Sequence, residues 1–313
     1  MRSSAALIIQ WAGVLTIGIS ISTSLGAKEW EKSRSDAEQE RLNRLVEVLS
    51  HLPAGQDLLT RAQRFWGFTR KQQLKNYLRW GTVSRTDAIL TRHFVPSTGK
   101  EIRERKVSIQ LKLDQSFHDS LLDLSHELVH ATARPAWDPY DPTLTAGKYI
   151  LATIEGEGGE VDAVEFECRT EIELHQRYSL SSGTLARCKK YLSVTTGESS
   201  PSLEREKIKR DFYRVGRWFE EFKKQAGTER VLFPLLTIEE TQLYSSTGNA
   251  PYPVALYREF RDLNQIACEN SRRRIQSAVK RSPSSEPEPE RDEETRRFLE
   301  QRCSIDLASR TDS

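Results

Sequence analysis

The sequence predicts an α+β fold that is mostly helical and contains one small antiparallel sheet. Apolar residues recur at helical spacing in several long stretches, which indicates amphipathic helices. In contrast, Lys106 to Leu113 alternates apolar and polar residues, as a strand with one buried face does. The 313 residues are enough for one large domain. We therefore expect a single folded domain over residues 28–280.

The charge balance excludes some classes of protein. The chain has 47 Lys and Arg against 45 Asp and Glu, a formal net charge of +2, and a mean hydropathy of −0.61. A dedicated nucleic-acid binder needs an excess of positive charge, so we expect no nucleic-acid partner. A single apolar run argues against a multi-span membrane protein. The composition leaves the oligomeric state open.

That apolar run lies at the N-terminus and resembles a secretory signal. It follows the basic Arg2, extends from Ala5 to Ile21 without a charge, and ends in small residues up to Ala27. We interpret residues 1–27 as a cleavable signal peptide, which predicts a secreted or periplasmic protein with no membrane contact after cleavage. The alternative is an uncleaved anchor, although the run is short for the roughly 20 residues that span a bilayer.

Residues 28–80 are predicted to be helical, and a hairpin follows them. Apolar residues between Leu42 and Leu49 recur at helical spacing, and Pro53 then interrupts the pattern. Residues Ala88 to Phe94 and Lys106 to Leu113 are predicted as two strands joined by the turn-rich segment Pro96 to Lys100. This hairpin opens a central region, 81–180, which should contain the sheet.

Four more helices are predicted after the hairpin. They span Phe117 to Ala133, Gly159 to Tyr178, Ser202 to about Lys224, and Pro253 to about Ala278. The last two belong to a helical C-terminal part, 181–280. The segment beyond it is rich in Ser, Pro and Glu, so residues 281–313 are expected to be a flexible tail.

The four cysteines suggest disulfides in an exported protein. An even number allows two bonds with three possible connectivities, and no CxxC spacing indicates a thiolate metal site. Proximity along the chain favours Cys168 with Cys188 and Cys268 with Cys303. If the chain is not exported, four buried thiols become the better interpretation.

The helix after the hairpin carries an HExxH motif, formed by His126, Glu127 and His130. Positions i and i+4 share one face of a helix, so both imidazoles can bind one metal ion while Glu127 lies beside it as a base. Zinc at a catalytic site takes three protein ligands and keeps a fourth position open. The motif therefore predicts a zinc site that needs one more ligand.

With this motif the chain resembles the zincin metallopeptidases, and its third ligand indicates the gluzincin branch. Metzincins have Gly and His where this chain has Ala133 and Ala136. Gluzincins supply a glutamate from a second helix within a Glu-x-x-(Ser/Ala) pattern, which Glu160 and Ala163 match here. The resemblance implies hydrolysis of protein or peptide substrates, with Glu127 as general base. Thermolysin-like sequences have an aspartate where this chain has Val164, so the support of the zinc histidines must differ.

Several assignments stay open. Glu157, Glu167, Asp138 and Asp141 compete with Glu160 for the place of third ligand. The resemblance also implies that the strand Lys106 to Leu113 is a sheet edge that binds extended substrate. Finally, a tyrosine often donates to the developing oxyanion in these peptidases, and the two candidates are Tyr252 and Tyr257.

Two other functions remain compatible with the sequence. The first is a secreted helical binding protein whose HExxH and glutamate form a non-catalytic metal site. The presence of Glu127 argues against it, because a purely structural site needs no base. The second is an HExxH helix that arose by chance and binds no metal.

Overall fold

The structure of the chain, a computed structural model, describes residues 5–10, 27–94, 101–134, 137–178, 185–193, 202–213, 252–279 and 289–303. It confirms an α+β fold that is mostly helical. Two helices come first, α1 (Ala27–Ser50) and α2 (Pro53–Trp66), and a 3-10 helix (Lys71–Tyr77) follows. The predicted helical part 28–80 also contains the start of the sheet, since Leu78–Gly81 is a strand.

The main sheet has four strands in the order β1-β3-β4-β2. They are β1 (Ala5–Gln10), β2 (Leu78–Gly81), β3 (Arg85–Phe94) and β4 (Glu101–Lys112). The predicted hairpin is confirmed, because β3 and β4 pair antiparallel from Arg85 opposite Gln110 to Phe94 opposite Glu101. The sheet is mixed rather than antiparallel, since β2 pairs parallel with β4.

The predicted edge strand lies inside the sheet. The β4 strand pairs with β3 along its length and with β2 over Ile109 to Lys112. Over Ile109 to Lys112 the strand is paired on both sides and has no free backbone groups for a peptide, so the prediction that Lys106 to Leu113 is a sheet edge was wrong for this part of the segment. On its other side β4 pairs with β3, and the far edge of β3 pairs with β1 inside the predicted signal segment.

The HExxH helix, α3 (Phe117–Thr132), begins and ends close to the predicted bounds. Ser116 caps it, because its Oγ accepts a hydrogen bond from the backbone N–H of Asp119 at 3.0 Å. At the other end, Arg105 of β4 donates to the carbonyl of Ala133 at 2.7 Å, where a cation also favours the negative helix terminus. The first turn of α3 is therefore capped, and its C-terminal end is bound to the sheet.

The second half of the described chain is almost entirely helical. Its helices are α4 (Ala146–Glu155), α5 (Glu160–Tyr178), α6 (Arg205–Tyr213), α7 (Tyr252–Val279) and α8 (Pro289–Phe298), and a two-stranded sheet joins β5 (Leu192–Ser193) to β6 (Ser202–Leu203). The helices predicted from Gly159 and from Pro253 are confirmed as α5 and α7. The α4 helix was not predicted. The helix predicted from Ser202 to about Lys224 begins later than expected, at Arg205, because Ser202–Leu203 is a strand, and its predicted part after Tyr213 lies outside the described residues.

Helix α5 lies between two apolar cores. The first core joins α1, α2, the sheet and α3, and α5 contributes Ala163, Phe166 and Leu174 to it. The second joins α4, α6 and α7, and α5 contributes Val161 and Cys168. Burial on both sides restricts how α5 can move, so its first turn is held at a defined position relative to α3.

Both predicted disulfides are present. Cys168 bonds to Cys188 across 20 positions, and Cys268 bonds to Cys303 across 35. Closing a loop of this length lowers the conformational entropy of the unfolded chain, so each bond stabilises the fold by about 3 kcal/mol. The second bond ties the predicted tail to α7. Within that segment α8 and a π-helical turn (Leu299–Cys303) are folded, and Arg302 is buried.

Within the described ranges, no helix is both long enough and apolar enough to span a bilayer.

Candidate metal centre

Helices α3 and α5 bring the three predicted ligands together. The Nε2 atoms of His126 and His130 are 3.1 Å apart. Glu160, the first residue of α5, places Oε2 at 3.3 Å from His126 Nε2 and Oε1 at 3.6 Å from His130 Nε2. The three side chains are largely buried, with 19%, 3% and 5% of their surfaces exposed. They form a group that could hold a metal ion.

The outer nitrogens of the two imidazoles are bound to protein acceptors. His130 Nδ1 lies 2.8 Å from the carbonyl oxygen of Gly158, and since a carbonyl only accepts, this nitrogen carries the proton. His126 Nδ1 lies 3.1 Å from Glu167 Oε2, which accepts a hydrogen bond from it in the same way. When both imidazoles are neutral, this arrangement leaves both Nε2 lone pairs free and directed towards each other, as in metal-ligating histidines.

The donor set fits zinc. Ligand bonds of about 2.0 to 2.2 Å at tetrahedral angles place neighbouring ligand atoms about 3.3 Å apart. The distances of 3.1, 3.3 and 3.6 Å among the three donors lie close to this value. Two imidazoles and one carboxylate are also a ligand combination of catalytic zinc sites, where the fourth position stays open.

Gly158 allows the turn before α5 to reach α3. Its φ of +69° lies in the left-handed region, and an added Cβ would come within 1.9 Å of the Ala133 Cβ. The same residue accepts from His130 through its oxygen, and its N–H donates to Asp162 Oδ2 at 2.9 Å. A side chain at this position would push the turn away from His130. This glycine was not among the predicted site residues.

The charges within the site favour a cation. Burial lowers the pKa of His126, but hydrogen bonds and charges from Glu160 and Glu167 raise it well above its ordinary value. Burial raises the pKa of Glu160, but the two imidazoles lower it far below its usual range. The ligand carboxylate is therefore ionised at neutral pH and attracts positive charge to the position between the histidines.

Glu127 lies beside the ligands on α3 and is held by the sheet. The hydroxyl of Thr86 on β3 donates to Glu127 Oε2 at 2.7 Å. Only 7% of Glu127 is exposed, and burial raises the pKa of its carboxyl, although the imidazoles of His126 and His130 counteract this. A carboxylate with a raised pKa is a better proton acceptor near neutral pH. The contact with Thr86 was not predicted.

The competing carboxylates have other roles. Glu157 is exposed, Asp138 accepts from the backbone of Tyr140, and Asp141 accepts from the backbone of Thr143. Glu167 lies one turn beyond Val164 on α5 and binds His126 Nδ1, so it supports a ligand instead of competing with Glu160. It provides the different histidine support that Val164 led us to expect.

The C-terminal helix α7 adds one acidic group that the sequence analysis missed. Burial raises the pKa of Glu259 to about 7, and the charge of Glu160 contributes to this rise while Tyr149 counteracts it. Of the two tyrosine candidates for an oxyanion donor, Tyr257 packs against the second core, and the side chain of Tyr252 lies outside the described residues. No sequence signal pointed to Glu259, because its position near Glu160 depends on how α7 packs.

No protein family model, no curated protein and no solved structure matches this chain.

Proposed function

We propose that this protein is an exported zinc-dependent metallopeptidase. The observation that supports this most is the convergence of His126, His130 and Glu160 at zinc-ligand distances, with the buried carboxylate of Glu127 on the same helix. A metal site that serves only stability has no use for a base at that position. The HExxH pattern thus occurs with the third ligand that a catalytic site needs.

The chemistry divides between the metal and Glu127. Bound zinc would supply a Lewis acid that polarises the scissile carbonyl and lowers the pKa of a coordinated water towards about 7. Glu127 accepts the proton that the attacking water loses, and later donates it to the nitrogen of the departing amine. Thr86 fixes one oxygen of Glu127 through its hydroxyl. His126, His130 and Glu160 hold their positions throughout.

We place the substrate along β3. Thr86 on β3 contacts Glu127, so this strand passes directly beside the base. The β3 edge that faces away from β4 pairs with Ala5–Gln10, which belongs to the predicted signal peptide. Removal of residues 1–27 would expose the backbone groups of that edge, and an extended peptide could pair with them.

The test of this function measures metal content and cleavage on the same preparation. We expect the purified protein to bind one zinc ion per chain, and to cleave casein or members of a quenched-fluorescent peptide library. A chelator should abolish the cleavage, and added zinc should restore it. One ion per chain is expected because all three proposed ligands belong to one chain and form one group.

The alternatives give different results in this test. Stoichiometric zinc without cleavage of any peptide would favour the non-catalytic binding protein. Absence of zinc binding would mean that the HExxH helix occurs here by chance. Cleavage that persists in the chelated protein would contradict the proposed mechanism.

Export predicts a specific N-terminus. If residues 1–27 are a cleaved signal, the mature chain should begin between Leu25 and Lys28, because the apolar run ends in small residues there. N-terminal sequencing of the protein recovered outside the cytoplasm checks this. Recovery of a chain that still begins with Met1 or Arg2 would indicate an uncleaved anchor.

A further inference from the structure

Arg187, in the segment after α5, contacts three carboxylates next to the metal centre. Its Nη1 lies 2.7 Å from Asp123 Oδ1 and 3.0 Å from Glu167 Oε1, and its Nη2 lies 3.2 Å from Asp119 Oδ1. Asp119 and Asp123 belong to α3 and Glu167 belongs to α5. The guanidinium therefore joins the two helices that supply the zinc ligands.

Through Glu167, Arg187 is connected to the proposed zinc ligand His126. Glu167 uses Oε1 for Arg187 and Oε2 for His126 Nδ1, at 3.0 and 3.1 Å. A carboxylate that is bound through both oxygens cannot rotate freely, so its acceptor stays in line with the imidazole. On the other side, Asp123 precedes His126 by less than one helical turn. Arg187 thus acts on His126 through Glu167 of α5, and its contact with Asp123 attaches it to α3 within one turn of His126.

The Cys168–Cys188 disulfide also restrains Arg187. Cys188 directly follows Arg187, and it bonds to Cys168, which directly follows Glu167. Both cysteines are buried, and the N–H of Cys188 also donates to Glu171 Oε2 at 3.1 Å. The covalent bond therefore joins the two neighbours of the ion pair and keeps its partners at a short distance.

We propose that Arg187 is a positioning residue of the metal centre, and that the Cys168–Cys188 disulfide holds it in place. This inference rests on the proposed zinc site. Arg187 touches neither the metal nor the substrate. It acts by fixing Glu167, which in turn fixes the His126 imidazole. Without the guanidinium, three carboxylates would also face one another across α3 and α5 without a shared cation.

The first test compares zinc affinities by competition with a chromophoric chelator. Loss of an outer contact to a metal ligand typically weakens binding 10- to 100-fold, and we expect Arg187→Ala to weaken zinc binding about 10-fold. Arg187→Lys keeps the charge and should restore part of the loss. Arg169→Ala is the matched control, because Arg169 also binds a carboxylate of α5, at Glu165, but contacts neither Glu167 nor the turn that holds His130. It should stay within about twofold of wild type, in the range of exposed ion pairs.

A spectroscopic measurement separates positioning from general stability. The absorption bands of bound Co²⁺ report the geometry of its ligands. At saturating Co²⁺ we expect altered bands for Arg187→Ala and unchanged bands for Arg169→Ala. Wild-type affinity and wild-type bands in Arg187→Ala would overturn the inference while leaving the metal centre intact. Failure of the wild-type protein to bind zinc would instead overturn the proposed function, and this inference with it.

The second test concerns the disulfide, and the chain provides its own control. Cys168→Ala with Cys188→Ala should weaken zinc binding to a similar extent as Arg187→Ala. The combination of all three substitutions should add little, because the disulfide and Arg187 act through one contact. Cys268→Ala with Cys303→Ala removes the distant disulfide and should leave zinc affinity unchanged. Equal losses from both disulfides, or full additivity with Arg187→Ala, would contradict the coupling. If the first disulfide variant does not fold, the Arg187 variants, which retain both bonds, decide the result.

Discussion

Replacement of Glu127 by glutamine is expected to leave zinc bound and to reduce peptide hydrolysis at least about 100-fold. General base catalysis typically contributes 10²- to 10⁴-fold, and the amide cannot accept the proton. The amide oxygen can still accept the hydrogen bond that Thr86 donates to Glu127 at 2.7 Å. His126, His130 and Glu160 are unchanged in this variant. The measurement is the cleavage rate of one peptide at equal zinc occupancy.

Glu157→Gln provides the matched control for this experiment. It makes the same chemical change at an exposed glutamate in the turn before α5, where no proton transfer is proposed. We expect its cleavage rate to equal that of wild type. If Glu127→Gln also cleaves at the wild-type rate, Glu127 is not the base and the proposed mechanism is wrong.

The grouping of the candidate ligands could be predicted because it depends on local chain geometry. His126 and His130 occupy positions i and i+4, which share a helix face whatever the helix packs against. The start of α5 at Glu160 follows from the two glycines before it, and the structure places that helix at Glu160–Tyr178. The hairpin of β3 and β4 was equally local, since alternation and a turn-rich connection define it.

The groups that support the ligands could not be predicted, because they come from distant parts of the chain. Thr86 reaches Glu127 across 41 positions, and Arg187 reaches Asp123 across 64. Periodicity shows which face of a helix is buried but not which neighbour it meets. Glu167 illustrates the limit. It was predicted as a competitor of Glu160, yet only the packing of α5 on α3 shows that it binds His126.

The same limit explains why the sheet edge was predicted at β4. The alternation of Lys106 to Leu113 predicts a strand but does not specify its neighbours. The strand that pairs with it on the outer side, Leu78–Gly81, has four residues and lies in a stretch with helical spacing. A strand this short is defined by its pairing with β4 more than by its own residues. The position of β4 inside the sheet thus depends on a tertiary contact.

Replacement of Glu160 by alanine is expected to reduce zinc affinity by more than about 100-fold, which exceeds the usual cost of losing an outer contact. The remaining ligands would be two imidazoles, and the ionised carboxylate that attracts the cation would be gone. Zinc titration of the wild-type and variant proteins measures the effect. Circular dichroism of both proteins without metal checks that the fold persists.

Two neighbouring carboxylates are the controls that make this prediction specific. Glu167→Ala removes only the acceptor of His126 Nδ1, so it should cost about 10- to 100-fold in zinc affinity. Glu157 is exposed and has no place in the site, so Glu157→Ala should bind zinc as wild type does. The expected order of the losses is therefore Glu160, then Glu167, then Glu157. If Glu160→Ala binds zinc like wild type while Glu167→Ala does not, the third ligand is Glu167. The carboxylate that now supports His126 from outside would then have to rotate inward to the metal.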